Sequence, residues 1–117
     1  MRSFLAALIP LTLATPVLAE WQQIGDRDIF RAQVVDNAYA DANGNWFRFN
    51  GNGTLSGGAA GKDLTGTWRY QNGMACFNRA LGGEDLPADC IVVLVDGNAL
   101  VTVRDQGRGK QTQYVKQ

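Results

Sequence analysis

The dipeptide Asn72-Gly73 lies between two short runs of β-forming residues and constrains the local fold more tightly than any other part of the chain. Both central residues of a type I′ turn need a positive φ, which Asn and Gly tolerate, and that turn has the twist that a hairpin requires. The turn predicts three cross-strand pairs: Gln71 with Met74, Arg69 with Cys76, and Trp68 with Phe77. Strand alternation then places one set of side chains in the core, namely Trp68, Tyr70, Ala75 and Phe77.

Downstream of Ala42, short runs of β-forming residues alternate with turn-forming Gly, Asn and Asp residues, and this pattern predicts an antiparallel meander. Further strands are predicted at residues 46–50, 54–56, 91–95, 99–104 and 111–116. Residues 91–95 are apolar on both faces and are expected at the centre of the core, whereas residues 111–116 are amphipathic and expected at an edge. Residues 57–61 are expected to form a flexible connection. Residues 79–88, which contain Pro87, are expected to form a loop.

The fold class predicted by this pattern is all-β: a small antiparallel meander barrel or bent sheet of six to eight strands. The pattern also allows one short helix before the strands. Asp28 is a suitable cap for a helix through Asp36, with Phe30 and Val34 four residues apart on one face. Val34-Val35 suits a strand equally well, so both alternatives stay open for residues 28–36.

The first nineteen residues have the pattern of a cleavable secretory signal: Arg2, an apolar run over residues 4–13, and a small-residue end at Ala19. The alternative is a membrane anchor, but Pro10 and nearby threonines interrupt a run already shorter than the roughly 20 apolar residues that a bilayer needs. We therefore expect a signal peptide at residues 1–19, one β domain at residues 20–117, and no stable membrane insertion after cleavage. The expected location is periplasmic or secreted.

Charge and composition argue against several classes of function. Lys and Arg number 11, Asp and Glu also number 11, and His is absent. Nucleic-acid binding is not expected, because it depends on a local excess of basic residues. The lack of His removes the commonest general base and a common metal ligand. We therefore expect no cofactor, no metal site and no catalytic residue.

Cys76 and Cys90 are the only cysteines in the chain. In an oxidising compartment such a pair is most simply a disulfide. Closing a loop of about 15 residues stabilises a fold by about 3 kcal/mol in the chain-entropy model. The alternative is a redox-active pair, which usually has closely spaced cysteines in an electropositive setting, whereas acids surround this pair.

With Gly66-Thr67-Trp68 followed by Cys76 and Cys90, the chain resembles two groups of small exported bacterial proteins. One is a set of short secreted or periplasmic proteins, mostly from proteobacteria, that share a Gly-x-Trp strand and two cysteines; this resemblance covers roughly residues 28–104 and implies a fold but no activity. The other is the lipocalin-like periplasmic inhibitors of secreted metalloproteases. Similarity to the inhibitors implies a mobile N-terminal arm that enters a protease cleft, here residues 20–25.

Two binding functions follow as hypotheses. The first is an exported binding or inhibitor-type module of the cell envelope, not an enzyme, whose partner is an envelope or secreted protein. Its expected partner-binding residues are Trp21, Glu84 and Asp85, although Trp21 is equally suited to plugging the barrel end. The alternative is a carrier of small apolar ligands, with a barrel cavity lined by Trp46, Trp68 and Tyr70, aromatic residues that also suit a packed core.

A third hypothesis, an enzyme, would use three acids predicted to lie together on one surface loop: Glu84, Asp85 and Asp89. Solvated loop charge explains these acids better, because nothing apolar is predicted around them to separate their pKa values.

Overall fold

The computed structural model describes residues 20–117; the predicted signal peptide at residues 1–19 lies outside the described residues. The described chain forms strands β1 (Gln22–Ile24), β2 (Ala38–Ala40), β3 (Trp46–Phe49), β4 (Thr54–Ala59), β5 (Lys62–Gln71), β6 (Met74–Leu81), β7 (Glu84–Asp96), β8 (Ala99–Val103) and β9 (Gln111–Lys116), with helix α1 (Arg27–Gln33) and the helical turn α2 (Arg104–Gly107). Neither helical segment has the length and apolarity needed to cross a bilayer.

Strands β2 to β9 close into an eight-stranded antiparallel barrel. Each strand pairs with its neighbours in sequence, and β2 closes the ring by pairing with β9. The ninth strand, β1, lies outside this ring and pairs with the second half of β7. The prediction of a small all-β meander barrel is therefore confirmed. The prediction that residues 111–116 form an edge is wrong, because barrel closure gives β9 a partner on both sides.

The Asn72-Gly73 turn forms as predicted. Asn72 and Gly73 have φ angles of 52° and 76°, and the strands β5 and β6 pair in the predicted register. The four predicted core side chains, Trp68, Tyr70, Ala75 and Phe77, are buried. Local turn chemistry thus sets the pairing of β5 with β6, which covers eight residue pairs.

Two segments predicted as connections are strands. Residues 57–59 belong to β4, and the connection to β5 is only the tight turn Ala60-Gly61. Residues 79–88 are also not a loop: β6 runs to Leu81, and β7 begins at Glu84 after the turn Gly82-Gly83. Pro87 is tolerated because the β6–β7 pairing shifts register between Phe77 and Arg79, where a ladder hydrogen bond is not required of it.

Helix α1 covers one end of the barrel. It begins after Asp26, whose carboxylate accepts a hydrogen bond from the Asp28 backbone N–H, so Asp26 is the cap in place of the predicted Asp28. Phe30 and Val34 are completely buried on one face, as the helical alternative predicted. The strand alternative for this segment is wrong, because the apolar face of the helix fills the barrel end.

The Cys76–Cys90 disulfide is present, and it joins residues directly opposite each other on β6 and β7. It therefore fastens two neighbouring strands of the barrel to each other. The prediction that residues 91–95 lie at the centre of the core is consistent with β7. Ile91 and Val93 point into the core, and Val92 on the opposite face lies under α2. It pairs with β6, β8 and β1.

Candidate functional site

A cavity of about 270 Å³ opens at the barrel end opposite α1. Four turns surround this open end, namely those that join β2 to β3, β4 to β5, β6 to β7, and β8 to β9. The backbone N–H of Gly82 donates to the Asp63 carbonyl (2.8 Å) and joins the β6–β7 turn to the start of β5. The cavity is lined by Asp41, Asn45, Trp46, Phe47, Phe49, Leu55, Gly58, Ala59, Leu64, Phe77, Arg79, Leu81, Leu86, Ile91, Thr102, Arg104 and Tyr114.

Aromatic rings form the floor of the cavity. Phe47 and Phe49 line the cavity, and their ring centroids lie 5.3 Å apart. Phe49 also packs on Phe30 of α1 (5.5 Å), which in turn stacks on Tyr70 (4.8 Å). The helix thus closes one end of the barrel with packed rings, and the cavity opens at the opposite end.

Three charged side chains lie inside the open half of the barrel: Arg79 on β6, Asp89 on β7 and Arg104 at the end of β8. Asp89 forms an ion pair with the Nε of Arg104. The carboxylate also accepts hydrogen bonds from the backbone N–H groups of Cys90 (2.8 Å) and Asp105 (3.1 Å). The Asp89 carboxylate therefore accepts hydrogen bonds from one side chain and two backbone groups, and its ion pair holds Arg104 at the cavity wall.

Arg79 has no such partner. Its Nε is buried and makes no hydrogen bond within residues 20–117, while its guanidinium lies 5.4 Å from the ring centroid of Phe77. Burial lowers the pKa of Arg79, repulsion from Arg104 lowers it further, and attraction to Asp89 acts in the opposite direction. Arginine nonetheless stays protonated at physiological pH. The cavity wall therefore carries a cationic donor that the described residues leave unsatisfied.

Two hydroxyl groups complete the polar lining, those of Thr102 and Tyr114. Burial raises the pKa of Tyr114 and the negative charge of Asp41 raises it further, while the Thr102 side chain and the positive charges of Arg104 and Arg79 act in the opposite direction. The Tyr114 ring packs edge-on against Phe47, with centroids 4.8 Å apart. Tyr114 therefore presents a neutral hydroxyl to the cavity at physiological pH.

At the cavity mouth, Asp41 organises the turn between β2 and β3. Its carboxylate accepts hydrogen bonds from the backbone N–H groups of Asn43 (2.8 Å) and Asn45 (3.0 Å) and from the Asn45 side chain (3.1 Å). Burial opposes ionisation, but these bonds and one from Gly44 outweigh it and lower the pKa of Asp41. Because the folded pKa is depressed, ionised Asp41 stabilises the turn above its unfolded pKa, and that contribution is lost as the pH falls.

The structure separates the predicted ligand-binding residues. Trp46 lines the cavity mouth, where it is 39% exposed and its indole lies over Gly58. Trp68 and Tyr70 are buried beneath α1 and do not line the cavity. Trp68 donates its indole N–H to the Asn50 carbonyl (2.8 Å), and the Tyr70 hydroxyl donates to the Ile24 carbonyl (3.0 Å). Both therefore secure the closed end.

The predicted partner-binding residues lie at opposite ends of the barrel. Glu84 and Asp85 are exposed at the start of β7, beside the cavity mouth. Trp21 is half-buried and precedes β1, next to the β7–β8 turn, where the Glu20 N–H donates to the Asp96 carboxylate. Strand β7 separates the two groups by up to about 40 Å at roughly 3.3 Å per residue. Within residues 20–25, strand β1 is paired with β7 and Ile24 is buried, so this segment lies on the sheet.

Sequence reasoning missed the polar residues of the cavity, Arg79, Arg104, Thr102 and Tyr114. Asp89 was placed on a solvated loop, whereas it is half-buried in β7 and ion-paired. The signal that was available is strand alternation: Phe77, Arg79 and Leu81 occupy every second position of one strand. The same alternation applies to Leu100 and Thr102 on β8 and to Arg104, which directly follows that strand.

No group of three or more His, Cys, Asp or Glu side chains within residues 20–117 is placed to hold a metal ion. No family model, curated protein or solved structure matches the chain.

Proposed function

We propose that this protein is an exported small-ligand binding module and that its ligand enters the barrel between the four turns of the open end. The observation that carries the proposal is the cavity itself. Its lining is mainly aromatic and aliphatic, with a few convergent polar groups, which is the usual character of small-molecule sites. Its volume of about 270 Å³ lies just below the usual range of drug-sized pockets, roughly 300–1,000 Å³, so the proposed ligand is small.

The architecture supports this proposal because only one end of the barrel is filled. Phe30 and its aromatic neighbours pack the closed half, so the cavity has a rigid floor. At the other end the exposed indole of Trp46 borders the entrance. A ligand in the cavity would therefore lie at the Trp46 end of the barrel and away from Trp68.

The export part of the proposal has two supports. The pattern of residues 1–19 is that of a secretory signal, and the Cys76–Cys90 disulfide is typical of proteins that fold outside the reducing cytosol. We therefore assign the protein a periplasmic or secreted location within this proposal.

Binding is favoured over catalysis by the way the interior carboxylate is used. Asp89 accepts hydrogen bonds from Arg104 and two backbone N–H groups, so its oxygens are already bonded to the protein's own donors and are not free to contact a substrate. The proposal gives the protein no chemical step.

An envelope or secreted protein partner stays a prediction. Within this structure, a single compact interface could include Glu84 and Asp85 or Trp21, but not all three. The hypothesis of a protease inhibitor expects residues 20–25 to form a free arm, whereas β1 in this segment belongs to the sheet. The cavity therefore supports the small-ligand alternative more directly than the partner hypothesis.

The test is a calorimetric titration with two eight-carbon probes, octanoate and 1-octanol. Leu64 faces Gly57 inside the cavity, whereas the adjacent Thr65 is exposed on the outer face of the same strand. We expect saturable binding of at least one probe to the unmodified protein. Leu64→Trp should fill the cavity and abolish that binding, while the matched variant Thr65→Trp should retain it.

Thermal melts establish that both variants are folded before the titrations are compared. Absence of saturable binding of either probe to the unmodified protein would refute the proposal. Equal binding to the two folded variants would place the probe outside the cavity and refute it as well.

A further inference from the structure

We propose that the ligand carries a single negative charge on a small apolar body and that Arg79 binds the charged group. This inference rests on the proposed ligand-binding function and specifies the chemical class of the ligand. It stands on the placement of charged groups inside the barrel, which no local sequence motif reveals.

The first observation is the state of the Arg79 side chain. A buried polar donor is normally hydrogen-bonded, and a buried charge is normally paired. The Nε of Arg79 is buried, yet none of residues 20–117 accepts a hydrogen bond from it. A carboxylate offers an acceptor that matches the planar guanidinium. An anionic ligand would thus satisfy the donor.

The second observation is the charge balance at the cavity wall. Arg104 is neutralised by Asp89, so Arg79 leaves the interior with one excess positive charge. Asp41 at the mouth directs its carboxylate to the N–H groups of its own turn. Glu84 and Asp85 are exposed, where water and salt screen their charge. A singly charged anion therefore balances the interior.

The third observation is the position of Arg79 relative to the apolar surface. Its guanidinium lies against Phe77, and the cavity floor beyond is formed by the rings of Phe47 and Phe49. A ligand with its charge on Arg79 would have its remaining atoms against these rings. An anion with a short hydrocarbon body fits this arrangement, whereas a strongly hydrated inorganic ion would leave the apolar floor uncovered.

The experiment compares linear probes that each contain eight carbon atoms and carry different head groups. Octanoate, 1-octanol, octylammonium and octyl phosphate are titrated into the unmodified protein at pH 8, where octyl phosphate is mainly a dianion. We expect octanoate to bind at least about tenfold more tightly than 1-octanol, the factor that a charge-assisted hydrogen bond contributes. Octyl phosphate should bind more weakly than octanoate, and octylammonium the most weakly.

Arg79→Met then removes the charge and retains an apolar chain of similar length. We expect it to weaken octanoate binding about tenfold or more and to leave 1-octanol binding unchanged. Its melting temperature should not fall, because the variant removes a buried Nε donor that has no hydrogen-bond acceptor in the described residues. Arg69→Met is the matched control, since Arg69 is exposed on the outer face of β5, and it should bind all four probes as the unmodified protein does.

Equal affinity for octanoate and 1-octanol in the unmodified protein would overturn this inference while leaving the proposed function intact. A preference for octylammonium, or an undiminished octanoate preference in folded Arg79→Met, would also overturn it. If neither octanoate nor 1-octanol binds, the proposed function itself fails. If Arg79→Met does not fold, the comparison of head groups on the unmodified protein still tests whether the ligand is a single anion.

Discussion

Gly66 faces the backbone of β6 at a distance that leaves no room for a side chain. A Cβ at this position would lie 2.0 Å from the carbonyl oxygen of Asn78 and 3.0 Å from the Cα of Arg79. Gly66 pairs with Arg79, beside the register shift of β6 and β7. The glycine of the Gly-x-Trp segment therefore permits a close strand approach next to the proposed anion-binding residue, while Trp68 packs at the closed end.

Gly66→Ala should therefore destabilise the fold. Because the new methyl group meets backbone atoms that cannot move independently, we expect the free energy of unfolding to fall by about 1–3 kcal/mol, typical of overpacking. Urea unfolding measures this change. Gly25→Ala is the control, since no atom lies within 4 Å of its Cβ position, and it should change stability by less than about 0.5 kcal/mol. Equal effects of the two variants would contradict the close-approach explanation.

At the scale of secondary-structure elements, α1 acts as a plug made by a single helical face. Phe30 contacts the rings of Phe49, Trp68 and Tyr70, and its exposed fraction is zero. The adjacent Ile29 points outward and is 45% exposed. Arg31 adds a cation–π contact over Trp68 at 5.5 Å. The helix is thus anchored mainly by one residue.

Phe30→Ala should lower the free energy of unfolding by about 3–5 kcal/mol, because it removes a buried ring and leaves a cavity in the aromatic cluster. Ile29→Ala tests the opposite face of the same helix and should change stability by no more than about 0.5 kcal/mol. Thermal or urea unfolding compares the two variants. A larger loss from Ile29→Ala than from Phe30→Ala would show that α1 does not plug the barrel by this face.

Elements defined by local chemistry were predictable from the sequence. The Asn72-Gly73 turn fixed the β5–β6 register because both residues accept positive φ, and the spacing of Phe30 and Val34 indicated the buried helix face. Residues 57–59 were misread because glycine ordinarily weakens a strand. Gly57 is needed in β4, since a Cβ there would lie 2.3 Å from the Trp46 carbonyl oxygen, a contact that only the folded strand pair reveals.

The cavity was less predictable than the hairpins because it depends on long-range closure. Pro87 and the acids around it suggested a loop. A register shift in the β6–β7 pairing accommodates Pro87 within β7, and Asp89 faces inward. Aromatic residues were the expected ligand contacts, but Trp68 and Tyr70 are used by the plug. Which barrel end stays open is decided by where α1 packs, and that is not encoded in any one segment.

At the scale of the whole molecule, the two barrel ends have different roles. The closed end contains the aromatic cluster and the contacts of β1, and the open end contains the cavity and its unsatisfied arginine. The disulfide between β6 and β7 holds together the two strands that carry Arg79 and Asp89. The rigid closed half thus supports a site built from the strands of the open half.

Backbone amide chemical shifts of the ¹⁵N-labelled protein, recorded during an octanoate titration, locate the ligand. We predict saturable shifts around the open end, in the turn at residues 41–45, at Gly82-Gly83 and at Arg79. The closed-end turns Asn72-Gly73 and Gly97-Asn98 should remain unchanged. Shifts confined to α1 and the closed-end turns, or no saturable shift at all, would contradict ligand binding inside the open half of the barrel.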